Sequence, residues 1–141
     1  MKDFKLNFIH LCDDAIFSQE GKLSLIGIFE VINVVALPGS LLKAYLVFNL
    51  NVINKSLDKV DLDISIKKED TGNELLKLPT LTPSIVKNKA DSELKLGLTL
   101  QLANITFQET GKYMVELKVN KEHVGTLNFD VKLLQKKGEV N

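Results

Sequence analysis

The sequence predicts an all-β fold, an antiparallel sandwich of two sheets with about seven or eight strands. Apolar and polar residues alternate with a period of two through much of the chain, which is typical of strands with one buried and one solvated face. No stretch of about 11 residues or more shows the helical period. The 141 residues are close to the length of one domain, so we expect a single domain over residues 1–141.

The first two strands form a predicted hairpin that is apolar on both faces. Strand one is expected over residues 6–17 and strand two over 22–35, joined by the polar turn 18–21 that ends in Gly21. The adjacent carboxylates Asp13 and Asp14, and Gly27 within strand two, indicate a bend, a bulge or a close approach. This hairpin has to be covered on both sides.

The later strands have a simpler pattern. Residues 60–68 alternate most regularly, with Val60, Leu62, Ile64 and Ile66 on the inner face. The other predicted strands are 42–53, 74–78, 93–103, 111–120 and 123–133, with a further short strand at 84–87 and a polar tail at 135–141 that we expect to fray.

The segment that begins the penultimate strand narrows the class of sandwich. Glu109-Thr110-Gly111-Lys112-Tyr113 resembles the tyrosine corner, in which a tyrosine hydroxyl group bonds back to the backbone of the corner. Antibody domains carry a cysteine two residues later, where this chain has Val115, and the chain contains no tryptophan. We therefore predict an immunoglobulin-like sandwich that is not of the antibody type.

Composition argues against several classes of partner. The 18 basic residues balance the 18 acidic residues, so the formal net charge is zero and gives no general attraction to nucleic acid or to an anionic membrane. All the basic residues are lysine, and arginine is the usual residue for bidentate contacts with phosphate or guanine. We expect neither nucleic acid nor a membrane as a partner.

The cysteine count and the N-terminus indicate a compartment. With Cys12 alone, no intrachain disulfide can form, which favours a reducing environment. The N-terminal residues lack the apolar core of a signal peptide. The sequence thus predicts a cytoplasmic location.

Catalytic and metal sites receive little support. His10, Cys12 and Asp14 share one strand face, and His123 could join them as a zinc ligand or as a base for the thiol. However, paired CxxC motifs are missing, and a thiol buried in an apolar strand is unreactive. We expect an inert cysteine, no cofactor, no metal and no enzymatic activity.

Two classes of binding function remain, namely a site for a glycan or small ligand and an interface with another protein. Tyr45, Asn49 and Asn51 could bind a glycan or a small ligand if they converged in a pocket, although sandwich lectins usually present tryptophan or several tyrosines.

The leading prediction is protein interaction or assembly, including self-association, through the first hairpin. Leaving an apolar side chain exposed forgoes roughly 1.5–3 kcal/mol of burial, so an uncovered apolar face favours an interface. Segment 78–86 could instead cover this face within one molecule. The predicted interface residues are Ile9, Leu11, Ile26, Ile28 and Ile32.

The same hairpin also carries a family resemblance. Its residues resemble a bacterial family of domains of unknown function. The resemblance is carried by Cys12-Asp13-x-Ala15, by Gly-Lys-Leu-Ser-Leu-Ile-Gly-Ile-Phe over residues 21–29, and by Pro38 and strand 44–50. Its members also tend to end in a Gly-x-Tyr strand and a hairpin, matched here by residues 111–131. The resemblance implies a stand-alone β-sandwich and no catalytic residues.

Overall fold

The computed structural model describes residues 3–87 and 94–134, and these form an all-β sandwich. One sheet has four strands in the order β2-β1-β4-β7, and the other has five in the order β3-β9-β8-β5-β6. The predicted fold class is confirmed. The strands are Phe4–Phe17 (β1), Leu23–Phe29 (β2), Val31–Val34 (β3), Gly39–Val52 (β4), Leu62–Lys68 (β5), Glu74–Lys77 (β6), Leu94–Phe107 (β7), Gly111–Val119 (β8) and Glu122–Leu133 (β9).

The core lies between the two sheets and is built from the period-two pattern. In β5, buried residues alternate with partly exposed ones from Leu62 to Ile66, as the sequence predicts. In β8 the same alternation runs from Tyr113 to Val119. The inner residues of both sheets form one apolar cluster, which stabilises the fold by removing their surface from water. No polar or charged residue of the described chain is fully buried.

The predicted second strand is two strands, and this corrects the strand count. The chain bends at Glu30, so that β2 belongs to the four-stranded sheet and β3 to the other sheet. β3 then runs parallel to β9, which makes it an exception to the predicted antiparallel arrangement. The switch buries Ile32 and Val34 between the sheets, which a continuous strand could not do.

β4 and β7 form the longest pairing, and both extend further than the sequence pattern indicates. The pairing runs from Gly39–Phe107 to Val52–Leu94. The left-handed Asn104, with φ of 55°, turns Ile105 and Phe107 into the core instead of leaving them in a connection. The short strand predicted at 84–87 is a single bridge between Ser84 and Lys59. The predicted tail at 135–141 lies outside the described residues.

The tyrosine-corner hydrogen bond is present. The Tyr113 hydroxyl group donates to the Glu109 carbonyl oxygen at 2.7 Å. The Tyr113 ring packs between Phe107 and Phe129, with centroid distances of 5.1 and 5.7 Å. Burial raises the pKa of Tyr113, so the hydroxyl group stays protonated as a donor. The wider immunoglobulin-like assignment stays a prediction.

Replacing Tyr113 with phenylalanine tests the contribution of this hydrogen bond. We expect Tyr113→Phe to lower the free energy of unfolding by about 1 kcal/mol, because the ring packing is kept and only the bond to Glu109 is lost. Urea denaturation followed by circular dichroism measures the change. Tyr45→Phe, which removes a hydroxyl group from the outer face of the other sheet, serves as the control. Equal stability of Tyr113→Phe and wild type would show that the bond contributes nothing.

Candidate interaction surface

The turn between β1 and β2 determines which side chains share a face. The Ser18 backbone N–H donates to the Lys22 carbonyl oxygen at 2.8 Å, and the Ser18 hydroxyl oxygen accepts from the Lys22 N–H at 3.0 Å. Lys22 therefore belongs to the turn, and Phe17 pairs with Leu23. The turn is one residue longer than the sequence suggests. A slip of one residue exchanges the two faces of one strand relative to the other.

The five predicted interface residues consequently do not form one surface. Leu11 pairs with Phe29 on the inner face, and Ile9 is buried beside it in the core. Ile32 is also in the core, because β3 lies in the other sheet. The prediction is therefore wrong for Ile9, Leu11 and Ile32, which no partner can reach. Ile26 and Ile28 lie on the outer face and are 50% and 54% exposed.

Several exposed apolar side chains lie in the outer part of the hairpin, residues 13–28, which we call the outer hairpin. β1 pairs with β4 only as far as Cys12 and Tyr45, so the outer hairpin continues as a two-stranded ribbon. Within it, Ile16 is 48% and Phe17 is 59% exposed. Ile16 lies on the same face as Ile26, whereas Phe17 lies on the opposite face. The ribbon thus presents apolar side chains on both faces.

Gly27 allows the Asp13 carboxylate to approach the backbone of β2 closely. Its φ is +68°, and a Cβ atom at this position would overlap the Asp13 carboxylate. Only glycine accommodates both the left-handed backbone and the close approach of Asp13. The pairing register with β1 is the same on both sides of Gly27, since Ile26 pairs with Asp14 and Ile28 with Cys12. The close approach that the sequence allowed at Gly27 is the one found.

β2 is also an edge strand with an open side. In the described part of the chain, β1 is the only strand that pairs with it. β2 has no lysine, arginine or proline between Leu23 and Phe29, although such residues normally protect an exposed edge. Of the other edge strands, β6 and β7 carry no large, exposed apolar side chain, and the four-residue β3 carries one, Val31, at 38% exposure. Among the edges, β2 combines unpaired backbone with exposed apolar side chains most clearly.

The segment that could have covered the hairpin lies elsewhere. Leu81 forms a bridge with Leu62, and the Ile85 N–H donates to the Asp58 carbonyl oxygen at 2.7 Å. Both contacts place this segment beside the five-stranded sheet, where Ile85 is buried. Residues 78–86 therefore do not cover the apolar side chains of the outer hairpin.

The candidate catalytic and metal-binding residues do not come together. His10 and Cys12 lie on the four-stranded sheet, whereas His123 lies on the other sheet, 3.9 Å from Glu116. In the described residues, no three His, Cys, Asp or Glu side chains are placed to hold a metal ion. Cys12 is fully buried, and its thiol group faces the Tyr45 carbonyl oxygen at 3.8 Å. Burial raises the pKa of the Cys12 thiol, and Asp13 and Asp14 raise it further.

Tyr45, Asn49 and Asn51 do not converge on one pocket. The Asn7 amide nitrogen donates to the side-chain oxygens of Asn49 and Asn51, at 2.7 and 2.9 Å. The Tyr45 ring lies four residues, or roughly 13 Å, along the strand from Asn49, and the Lys43 ammonium group is 5.3 Å from its centroid. These side chains interact with their neighbours instead of framing a common ligand.

The outer face of the five-stranded sheet is polar, and charged side chains on it form ion pairs with one another. Its shallow depression of about 360 Å³ is lined by lysines and carboxylates, among them Lys67 and Glu116. Lys67 donates to the Glu116 carboxylate at 3.0 Å, which lowers the pKa of Glu116. This arrangement is typical of a solvated sheet surface. In the described residues, no helix could cross a membrane.

Comparison with known proteins places the chain in a family. A family model matches residues 7–132. The chain belongs to DUF6941, a family of unknown function. This confirms the family resemblance seen in the sequence. No curated protein matches the chain.

One solved structure similar to the DUF6941 chain is the alkylpurine DNA glycosylase of Pseudomonas fluorescens, bound to DNA containing an abasic site analog. The two share 15% sequence identity with a TM-score of 0.56. The match covers 92% of this chain but 30% of the glycosylase. The likeness is one of fold alone.

The reactivity of the Cys12 thiol tests the prediction that this cysteine is inert. We expect it to react with Ellman's reagent only as fast as the protein unfolds, because the sulfur is buried and its raised pKa keeps the thiolate fraction low. Ser24→Cys adds an exposed thiol on β2 and should show one fast and one slow thiol under native conditions. Rapid modification of the native wild-type protein would contradict the buried, inert assignment.

Proposed function

We propose that this chain is a non-catalytic protein-interaction module that assembles with itself through the outer hairpin. The observation that carries the proposal is the open edge of β2, together with the half-exposed Ile26 and Ile28 on the same strand. Covering such side chains stabilises an assembly by roughly 25 cal/mol for each Å² removed from water. An unpaired strand edge supplies backbone donors and acceptors for the same contact.

A protein interaction agrees with the chemistry elsewhere on the surface. Lys67 and Glu116 are already paired, and Cys12 is buried, so none of these three residues supplies a free reactive group. The alternative, glycan or small-ligand binding, gains no support from the separated Tyr45 and Asn49. We also propose a cytoplasmic location, on the basis of the single cysteine, which cannot form an intrachain disulfide.

Sedimentation velocity of the full chain tests the proposal. At concentrations from about 1 to about 100 μM, which bracket the affinities of small interfaces, we expect wild type to shift from monomer towards a larger species. Ile26→Lys and Ile28→Lys should keep the protein monomeric throughout, since a lysine on an edge strand opposes pairing. Lysine at position 26 also faces Asp14 within the monomer, so the fold should be retained.

Ile53→Lys is the matched control. Ile53 is 51% exposed, like Ile26, but it follows the far end of β4. It lies eight residues beyond Tyr45, or roughly 26 Å along the strand. This variant should associate as wild type does. A wild-type protein that stays monomeric over the whole range would overturn the proposal, as would equal effects of lysine at positions 26 and 53.

A further inference from the structure

We infer that the partner of β2 is β2 of a second copy, paired antiparallel about a two-fold axis at Ile26. This inference rests on the proposed function and specifies its geometry. The two four-stranded sheets would join edge to edge into one eight-stranded sheet. Each copy would present the same surface to the other, as in most symmetric dimers.

Two-fold symmetry leaves few registers. An axis that relates two adjacent antiparallel strands is perpendicular to the sheet, so it keeps the outer faces of both copies on the same side. Residues that face each other must then have the same parity, and the axis passes through a residue position. Within β2 the central choices are Ser24, Leu25, Ile26 and Gly27.

The axis at Ile26 matches charge with charge and apolar with apolar. Lys22 and Glu30 flank the two ends of β2, so this alignment would bring Lys22 of each copy close to Glu30 of the other and form the same ion pair twice. Ile26 would pack against Ile26 of the second copy. Lys22 and Glu30 are both exposed, and the present contact of Lys22 is a 3.7 Å pair with the exposed Glu20, which contributes little.

The other axes are less favourable. An axis at Leu25 sets Glu20 against Glu30 and Lys22 against Ile28. An axis at Ser24 sets Lys22 against Ile26 and Glu20 against Ile28. Both arrangements place a charge on an apolar side chain or a carboxylate opposite a carboxylate, which is destabilising. An axis at Gly27 sets Lys22 against Ile32, which is buried in the other sheet.

The small side chain of Ser24 completes the match. In the Ile26 register, Ser24 faces Ile28 of the second copy, and Ser24 pairs with Ile16 within its own hairpin. A serine between two isoleucines leaves room for Ile28 of one copy to contact Ile16 of the other across the outer face. Both isoleucines are about half exposed in the single chain. The register therefore covers the apolar side chains on the outer face of the outer hairpin.

Disulfide cross-linking of the full chain identifies the axis. The variants are Ile26→Cys, Leu25→Cys and Ser24→Cys, each oxidised mildly and examined on non-reducing gels. Residues facing each other across antiparallel strands have Cα atoms about 4.5–5.5 Å apart, which a disulfide spans. We expect covalent dimer from Ile26→Cys alone. In this register the two copies of residue 24 are separated by four residues, roughly 13 Å along the strands. Wild type controls for the buried Cys12.

Charge exchange gives a second readout that does not depend on an introduced cysteine. Lys22→Glu and Glu30→Lys should each weaken self-association about tenfold or more, since each sets like charges opposite each other twice. The double variant restores both pairs with reversed sign and should associate nearly as wild type does. Lys59→Glu, which changes an exposed lysine outside the hairpin, is the control.

The outcomes separate this inference from the proposed function. If Ile26→Lys abolishes association but the cross-link forms through position 24 or 25, the module assembles through the hairpin and the Ile26 axis is wrong. If the double charge variant stays as weak as the single variants, the Lys22–Glu30 pairing is wrong. If wild type is monomeric and no variant cross-links, both the function and the register are overturned.

Discussion

The structure depends on the alternation of side chains between the two faces of a strand, as it is set by the turn after β1. Because Ser18 is hydrogen-bonded to Lys22, the pairing begins at Phe17 and Leu23. That register packs the partly buried Phe29 against the core beside Leu11 and leaves Ile26 and Ile28 outside. A turn shorter by one residue would turn Ile26 and Ile28 inward and Phe29 outward, whereas Leu11 would stay in the core through the pairing of β1 with β4. The shape of the exposed surface is thus fixed by a polar turn that contributes little burial of its own.

The bend at Glu30 has the second largest consequence. It transfers the chain from one sheet to the other, so β3 covers the open side of β9 while β2 keeps an open side. Had the strand continued in one sheet, Ile32 and Val34 would have extended the exposed apolar face instead of closing the core. The bend therefore makes β3 the short edge strand of the five-stranded sheet and leaves the apolar β2 as an edge strand of the other sheet.

Much of the fold is predictable from the sequence, because its strands bury one face each. The alternation in β5 and β8, and the Tyr113–Glu109 bond, follow from residue order alone. The interface residues do not follow from residue order, because the length of the turn decides whether Ile9 and Ile26 lie on the same face of the hairpin. A strand with apolar residues at both parities, such as β1, carries no signal that separates inside from outside. The sequence also gives no signal that the chain changes sheets at Glu30, because both β2 and β3 are apolar and extended.

The composition of β2 is best understood as a balance between pairing and protection. Natural edge strands usually place a lysine or a proline where another strand could pair, yet here the charges lie only at the two ends, as Lys22 and Glu30. Charges at the ends of a strand do not prevent pairing; they select among registers, because only one antiparallel alignment brings opposite signs together at both ends. Gly27 and Asp13 add a local irregularity that disfavours a long, flat, open-ended stack. An edge with these features is suited to pairing once, with a strand of its own sequence, and to stopping there.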